Sequence, residues 1–197
     1  MKNVLLINGA KAFGFSEAKL SASLCKVAYD TLSENGFNVE QTIIDKGYEP
    51  KTEIEKILRA DIIVYQLQGF WMNAPWIVWE YFAKVFKEGA GVLFANDGRS
   101  RSDASKKYGS GGLSQGKKYM LSWTWNAPKE AFIDKNQFFG GIGIDGVSLN
   151  LHKTHEFLGM SALKTFACYD VHKENQGEKY LKEYKEHILN EIIKGTK

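Results

Sequence analysis

Three loops in this sequence carry residues whose types and spacing suit ligand binding. The first runs from Gly9 to Ser16 and leads into a predicted helix, where free N–H groups and the helix dipole attract an anion such as phosphate. The loop contains neither Gly-x-Gly-x-x-Gly nor Gly-Lys-Ser/Thr, which disfavours a dinucleotide-type Rossmann site and a P-loop. Ser16 as a plain helix cap explains the loop equally well, and the Glu17 carboxylate would oppose a phosphate.

The second loop, residues 68–76, places a glycine before bulky apolar side chains. Gly69 is followed by Phe70, Trp71 and Met72 in what should be a solvent-facing turn. A flat ring such as a flavin isoalloxazine needs a closely approaching backbone, hydrogen-bonding groups along one edge and apolar walls. This loop offers all three, although its rings could instead cover the core or a dimer contact.

The third loop, residues 122–128, again joins aromatic and small polar residues where a strand should end. It contains Thr124, Trp125, Asn126 and Ala127, and it reinforces the flavin interpretation of the second loop. Rings that merely pack on the core are the alternative. The glycine-rich stretch at residues 108–112 does not by itself indicate a phosphate site, because such loops are more often just flexible.

The histidines and cysteines do not form a pattern typical of a metal site. His152 and His155 are three residues apart and could share a helix face, but no carboxylate or cysteine pattern accompanies them, so no metal is expected. Either histidine could supply a proton to a reduced product, although a structural role is the simpler interpretation. Cys25 and Cys168 lie far apart and are predicted to be buried structural thiols rather than a disulfide.

The apolar patterns that flank these loops predict five strands and five helical segments. The strands cover residues 4–7, 38–44, 62–67, 118–125 and 164–169. The helical segments cover residues 17–35, 53–60, 75–87, part of 147–160, and 178–194. Ser16 is expected to cap the first helix, Gly36 to end it and Pro75 to start the third.

Strands that alternate with helices predict an α/β fold. We expect one flavodoxin-like, flavin-binding domain over residues 1–197, with a five-stranded parallel sheet and helices on both faces. Ligands bind outside the carboxyl ends of such strands, where the strand order reverses, so the loops after the first, third and fourth strands are the site candidates. Residues 89–116 form a long, mostly polar insertion, which is usually functional or mobile.

Composition narrows the class of partner. With 44% hydrophobic residues over 197 positions, the chain can bury one sizeable core. Its formal charge of +3 comes from dispersed Lys and Arg, so nucleic acid is not the expected partner. Apolar runs fall short of the roughly 20 residues that span a bilayer, and the first residues lack a signal-peptide layout. We therefore expect a cytoplasmic protein with no membrane insertion.

Considered together, several short motifs resemble the flavodoxin-2 group of NAD(P)H quinone reductases over nearly the whole chain. The residues that carry the resemblance are Ile7-Asn8-Gly9-Ala10-Lys11, Trp71-Met72, Ala74-Pro75-Trp76, Asp97-Gly98-Arg99, Lys106-Lys107-Tyr108-Gly109-Ser110-Gly111-Gly112, Gln115-Gly116-Lys117-Lys118-Tyr119-Met120, Thr124-Trp125-Asn126-Ala127-Pro128, Glu130-Ala131-Phe132 and Phe157-Leu158-Gly159-Met160. Each motif is weak alone, whereas the set is specific.

The resemblance implies non-covalent FAD, a homodimer with sites near the subunit interface, and two-electron reduction of quinones by NADPH. Our hypothesis for the mechanism is a ping-pong cycle, in which NADPH reduces the flavin and leaves before the quinone binds. The resemblance also implies a set of cofactor-binding residues, in which residues 16–23 hold the phosphate region, residues 69–72 and 124–127 frame the isoalloxazine, and one tyrosine contacts the flavin. These residues are Ser16, Glu17, Ala18, Lys19, Leu20, Ser21, Ala22, Ser23, Gly69, Phe70, Trp71, Met72, Tyr108, Thr124, Trp125, Asn126 and Ala127.

The chain departs from the family pattern at three positions. Phe15, Gln68 and Asn73 stand where similar proteins commonly have His, Pro and Gly, which affects loop shape more than cofactor class. Other functions on the same fold are an FMN-dependent azo- or nitro-reductase and a non-enzymatic electron carrier. The mildly basic charge argues against the acidic surface typical of such carriers, and a flavin-free interaction module is the plainest alternative.

Overall fold

A computed structural model describes residues 2–14, 16–173 and 176–196 of the chain. The strands are β1 (Asn3–Asn8), β2 (Asn38–Ile43), β3 (Ile62–Gln68), β4 (Lys118–Thr124), β5 (Ser161–Ala162) and β6 (Phe166–Cys168). The helices are α1 (Lys19–Glu34), α2 (Pro50–Arg59), α3 (Trp76–Glu88), α4 (Glu130–Ile133), α5 (Gly143–Val147), α6 (Leu149–Phe157) and α7 (Gly177–Ile188). A π-turn over Leu189–Ile193 extends α7.

The parallel sheet confirms the predicted flavodoxin-like fold, in the order β2-β1-β3-β4-β5. It has six strands rather than five: β6 lies within the predicted strand at 164–169, and the two-residue β5 precedes it, where no strand was predicted. β5 pairs with the start of β4 at Lys118 and Tyr119, and β6 pairs with its end at residues 122–124. The ladder breaks between them, where the Lys164 carbonyl accepts a hydrogen bond from His187 Nε2 at 2.8 Å.

The sheet is buried on both faces, which explains the continuous aliphatic runs in its strands. Along β1, Leu5 and Ile7 pack into the core layer that includes α2 and α3. Val4 and Leu6 point the other way, into the layer that includes α1 and α7. Across the described ranges, no helix combines the length and apolar character needed to cross a membrane.

Helix ends show which local predictions hold. Gly36 has φ +82 and ends α1 as predicted, with its N–H and that of Phe37 closing the last turn onto Ser33 and Leu32. The predicted Ser16 cap is wrong, because Ser16 pairs with Phe13 through two backbone hydrogen bonds of 3.0 and 3.1 Å. α1 therefore begins at Lys19 rather than residue 17, with Ala18 at its N-cap.

The other helix starts shift for local reasons. α2 begins at Pro50, three residues before the predicted start, because the Glu49 carboxylate accepts a hydrogen bond from Thr52 N at 2.8 Å. Pro75 is the N-cap of α3 rather than its first residue. The predicted segment at 147–160 contains α6 and is preceded by the short α5.

The long insertion between α3 and β4 has no long helix or strand, as expected, but part of it is anchored in the core. Leu93 is fully buried, and a Cβ on Gly112 would lie 2.3 Å from the Leu158 carbonyl carbon. The insertion therefore packs against the end of α6, near the amino-terminal end of β4.

Candidate functional site

A cleft of about 270 Å³ lies at the carboxyl edge of the sheet, where the strand order reverses. We call it the candidate cleft. It is lined by Ser16, Glu17, Ala18, Lys19, Leu20, Ser21, Gln68, Gly69, Thr124, Asn126, Val171 and His172. The loops after β1, β3 and β4, which the sequence singles out separately, thus meet in one place.

The start of α1 forms one wall of the cleft. Ala18 has the left-handed φ of 54, and no described side chain caps the helix. Uncapped N–H groups and the helix dipole suit an anion such as phosphate. Glu17 and Lys19 form an exposed ion pair beside it, so the negative charge of Glu17 has a nearby partner.

Two side-chain contacts join this wall to the strand ends. Gln68 Nε2 donates to Ser16 Oγ at 2.8 Å, and the hydroxyls of Ser21 and Thr124 lie 3.4 Å apart. Gln68, which departs from the family pattern, therefore holds the first loop against β3. The β1 loop and the two strand ends form a continuous polar surface.

Gly69 lies directly against the indole of Trp125. A Cβ on Gly69 would lie 2.3 Å from the Trp125 ring, which is far too close for any other residue. The Gly69 N–H donates to the Thr124 carbonyl at 2.8 Å, so the two loops are hydrogen-bonded as well as packed. A bare backbone backed by a buried indole gives the close approach and flat apolar support that an isoalloxazine needs.

Beyond Gly69 the chain forms a strained two-residue hairpin. Phe70 and Asn73 exchange backbone hydrogen bonds of 2.7 and 3.1 Å, while Trp71 and Met72 have φ of 48 and 62. These angles match a type I′ turn, which normally takes Asn or Gly at both positions. Asn73 itself has no positive φ, so glycine is not required there. Trp71 is 85% exposed, and strain of this kind tends to occur at ligand sites.

The implied cofactor residues divide into groups by position. Nine of them line the candidate cleft: Ser16, Glu17, Ala18, Lys19, Leu20, Ser21, Gly69, Thr124 and Asn126. Phe70, Trp71 and Met72 form the hairpin beside it, whereas Trp125 and Ala127 belong to the supporting core cluster. Ala22 lines a separate cavity of about 400 Å³, and Ser23 is exposed on α1.

Sequence reasoning missed Val171 and His172, which line the cleft from the loop after β6. The His172 N–H donates to Asn126 Oδ1 at 3.2 Å. The signal was present, since the carboxyl-edge rule that selected three loops applies equally to the last strand.

Tyr108 lies at the other end of the sheet. Its ring centroid is 5.7 Å from that of Phe157, which ends α6 just before β5, and β5 pairs with Lys118 at the start of β4. The cleft lies at the other end of β4, six residues or about 20 Å away. Tyr108 therefore does not line the cleft of its own chain.

The two candidate histidines also lie away from the cleft. His152 Nδ1 is 2.7 Å from the Tyr119 hydroxyl and its Nε2 is 3.2 Å from Asp145 Oδ1. His155 stacks on Tyr119 with ring centroids 4.3 Å apart, and its Nδ1 contacts the Leu151 carbonyl at 2.7 Å. No three His, Cys, Asp or Glu residues in the described ranges could together hold a metal. Cys25 and Cys168 are both buried, and burial raises the pKa of Cys25 to about 12.

Burial of His155 predicts a pH-dependent stability. Burial lowers the pKa of His155 from 6.5 to about 4, so the unfolded chain binds a proton that the folded chain refuses. The free energy of unfolding therefore has its full value above pH 6.5 and decreases as the pH falls toward 4. We expect the free energy of unfolding, measured in urea, to fall by about 2–3 kcal/mol more in wild type than in His155→Gln when the pH is lowered from 7 to 4.5. Equal losses in both proteins would contradict the buried neutral imidazole.

Comparisons with known proteins agree with this geometry. A family profile, Flavodoxin_2, described as a flavodoxin-like fold, matches residues 2–192. The NADPH:quinone oxidoreductase MdaB of Haemophilus influenzae is 46% identical over 186 residues, covering 94% of this chain and 97% of that protein. An uncharacterised Schizosaccharomyces pombe protein is also 46% identical, covering 96% of each chain.

A solved structure extends the likeness at the level of fold. General stress protein 14 of Treponema denticola, in complex with FMN, superposes with a TM-score of 0.67 at 13% identity, covering 95% of this chain and 96% of that one. The match to the family profile over nearly the whole length, together with the identity to curated relatives, shows that the chain belongs to the Flavodoxin_2 family of flavodoxin-like proteins.

Proposed function

We propose that this protein is an FAD-dependent NADPH:quinone oxidoreductase. The observation that carries the proposal is the bare Gly69 backbone against the Trp125 indole, in a cleft that also contains the uncapped start of α1. These features match the two needs of a flavin nucleotide, a flat support and an anion site. The activity named for the Haemophilus influenzae relative, at 46% identity, supports NADPH and quinones as the substrates.

The residues of the cleft suit the parts of the cofactor. The N–H groups at the start of α1 would bind phosphate, with Ser16 and Ser21 beside them, while Gly69 and residues 124–127 would hold the ring system. A bound flavin supplies hydride transfer from reduced nicotinamide to quinone. The protein's own part is to orient the ring and both substrates and to place polar groups such as the Thr124 hydroxyl at the strand ends.

FMN is the competing cofactor, favoured by the FMN complex of the Treponema denticola protein. FAD is supported by the family resemblance and by the extension of the cleft beyond the α1 start to Val171 and His172, which provides room beyond the first phosphate. Heat release of the cofactor followed by chromatography should yield FAD. Recovery of FMN, with faster turnover of azo or nitro compounds than of quinones, would favour the alternative enzyme.

One cleft is proposed to serve both substrates in turn. NADPH and quinone would each lie against the same ring beside the exposed hairpin of Trp71 and Met72, so they cannot bind together. Initial rates measured at several fixed quinone concentrations should give parallel double-reciprocal lines against NADPH. Intersecting lines would show a ternary complex and contradict alternating use of the cleft.

The position of Tyr108 supports a homodimer with a shared site. Tyr108 is 70% exposed and stands at the opposite end of β4 from the cleft. It can contact a flavin only from a second copy of the chain. We therefore propose that each site combines the cleft of one protomer with Tyr108 of the other.

Mixing two inactive variants tests this arrangement. Gly69→Val should lack a working cleft and Tyr108→Ala should lack the partner contact, so each homodimer has two defective sites. After co-expression with different affinity tags, the mixed dimer should recover about half the wild-type activity, because it contains one intact site. Activity no higher than that of either variant would contradict a tyrosine that acts across the interface.

A further inference from the structure

Lys11 has an unusual environment on the connection between β1 and α1. Its ammonium forms an ion pair with Asp45, which lies just after β2, and is 5.6 Å from the ring centroid of Trp76 at the start of α3. The Lys11 and Asp45 side chains remain 26% and 35% exposed. The ammonium is thus held above an aromatic ring while still open to an incoming ligand.

Trp76 belongs to an exposed group of rings, which we call the aromatic cluster: Phe13, Phe70 and Trp76. Phe13 packs edge-on against both other rings, with centroids 5.5 Å apart in each pair. Phe13 is 55% and Trp76 47% exposed, so the cluster does not serve only to fill the core. Because the rings fix one another, a planar ligand could stack there with little loss of side-chain freedom.

The aromatic cluster borders the candidate cleft. The Lys11 N–H donates to Gln68 Oε1 at 3.3 Å, and the amide of Gln68 reaches Ser16, so Lys11 is two contacts from the cleft wall. On its outer side lies a groove of about 490 Å³, lined by Asp45, Tyr48, Ile77 and Lys84 among others. A molecule that starts in the cleft could therefore continue past Lys11 along the surface.

We propose that Lys11 and the aromatic cluster bind the adenosine 2′-phosphate end of NADPH. The adenine stacks on the exposed rings and the Lys11 ammonium pairs with the 2′-phosphate, while the Asp45 carboxylate, once released from Lys11, accepts a hydrogen bond from the remaining ribose 3′-hydroxyl. An exposed ion pair adds little stability, whereas a phosphate dianion makes a stronger charge-assisted hydrogen bond with lysine. The Lys11–Asp45 pair can therefore open for this ligand. The inference rests on the proposed use of NADPH and adds the residues that select it over NADH.

The test uses ligands that lack nicotinamide. Adenosine 2′,5′-bisphosphate and 5′-AMP are titrated into the purified holoprotein by calorimetry. Lys11→Gln should lower the affinity for the bisphosphate at least tenfold and the affinity for 5′-AMP less than twofold. Trp76→Leu should lower the affinity for both ligands. Lys26→Gln is the matched control, because Lys26 is also an exposed lysine paired with an aspartate, and it should change neither.

Several results would overturn the inference. One is that wild type does not bind the bisphosphate at all, and another is that Lys11→Gln binds it with unchanged affinity. A third such result is that Lys11→Gln loses the same affinity for the bisphosphate and for 5′-AMP. If a second copy of the chain covers the cluster instead, Trp76→Leu will alter the mass measured by light scattering and leave bisphosphate affinity unchanged. Thermal unfolding confirms that each variant is folded. Because the probes carry neither hydride nor quinone, Lys11-dependent binding can succeed or fail independently of quinone reduction.

Discussion

Replacing Gly69 with valine is expected to abolish flavin binding. The added Cβ would lie 2.3 Å from the Trp125 ring, and that indole is held within the core against Trp123 and Phe132. The β3 loop would therefore have to move away from β4 and break the hydrogen bond from Gly69 to Thr124. We expect flavin affinity to fall by at least about 100-fold, equivalent to roughly 3 kcal/mol, measured by flavin fluorescence during titration of the apoprotein.

Gly177→Ala is the matched control, since a Cβ there meets nothing within 4 Å. It should load with flavin like wild type. A Gly69→Val protein that binds flavin as tightly as the control would show that the ring does not lie against this backbone, and the candidate cleft would lose its main support.

The second large effect concerns stability, through a buried carboxylate on α2. Glu53 is 1% exposed and accepts hydrogen bonds from the Thr42 hydroxyl, the Tyr81 hydroxyl at 2.8 Å and Lys56 Nζ at 2.7 Å. Glu53→Ala leaves a buried phenol and a mostly buried ammonium without this partner. We expect Glu53→Ala to lower the free energy of unfolding, measured in urea, by about 3–5 kcal/mol.

Glu80→Gln provides the comparison, because Glu80, like Glu53, pairs with a lysine on the next turn of its own helix, but does so on the surface. Its loss should stay below about 1 kcal/mol. If the two variants lose similar amounts, burial does not make the Glu53 network important for folding. Flavin loading in Glu53→Ala at low temperature should be unaffected, since Glu53 does not line the candidate cleft.

The sheet could be predicted from sequence because the central strands β1 and β3 are mostly apolar runs that are buried on both faces. Val4 to Ile7 and Ile62 to Leu67 follow this pattern, and the helices between them set the parallel order. The last strand was harder, because Lys164 turns its carbonyl to His187. A tertiary contact of that kind does not change the local pattern of apolar residues, so the sequence does not reveal it.

The site was predictable in outline for a different reason. The carboxyl-edge rule brings loops together whatever their local conformation, so Gly69, Thr124 and Asn126 meet as expected. The role of Ser16 was not predictable in the same way. Its hydroxyl accepts a hydrogen bond from Gln68, which lies 52 residues away, and its backbone pairs with Phe13. Glu53 shows the same limit, because its partners come from three separate elements.

The most direct test of the proposed function is an anaerobic absorption experiment on the protein as purified. We predict a flavin absorption spectrum that is lost on addition of one equivalent of NADPH and restored on addition of one equivalent of quinone. Gly69→Val should show no such spectrum, while Gly177→Ala should behave like wild type. A colourless wild-type protein would contradict the proposed function. So would a bound flavin that NADPH reduces but that no quinone reoxidises.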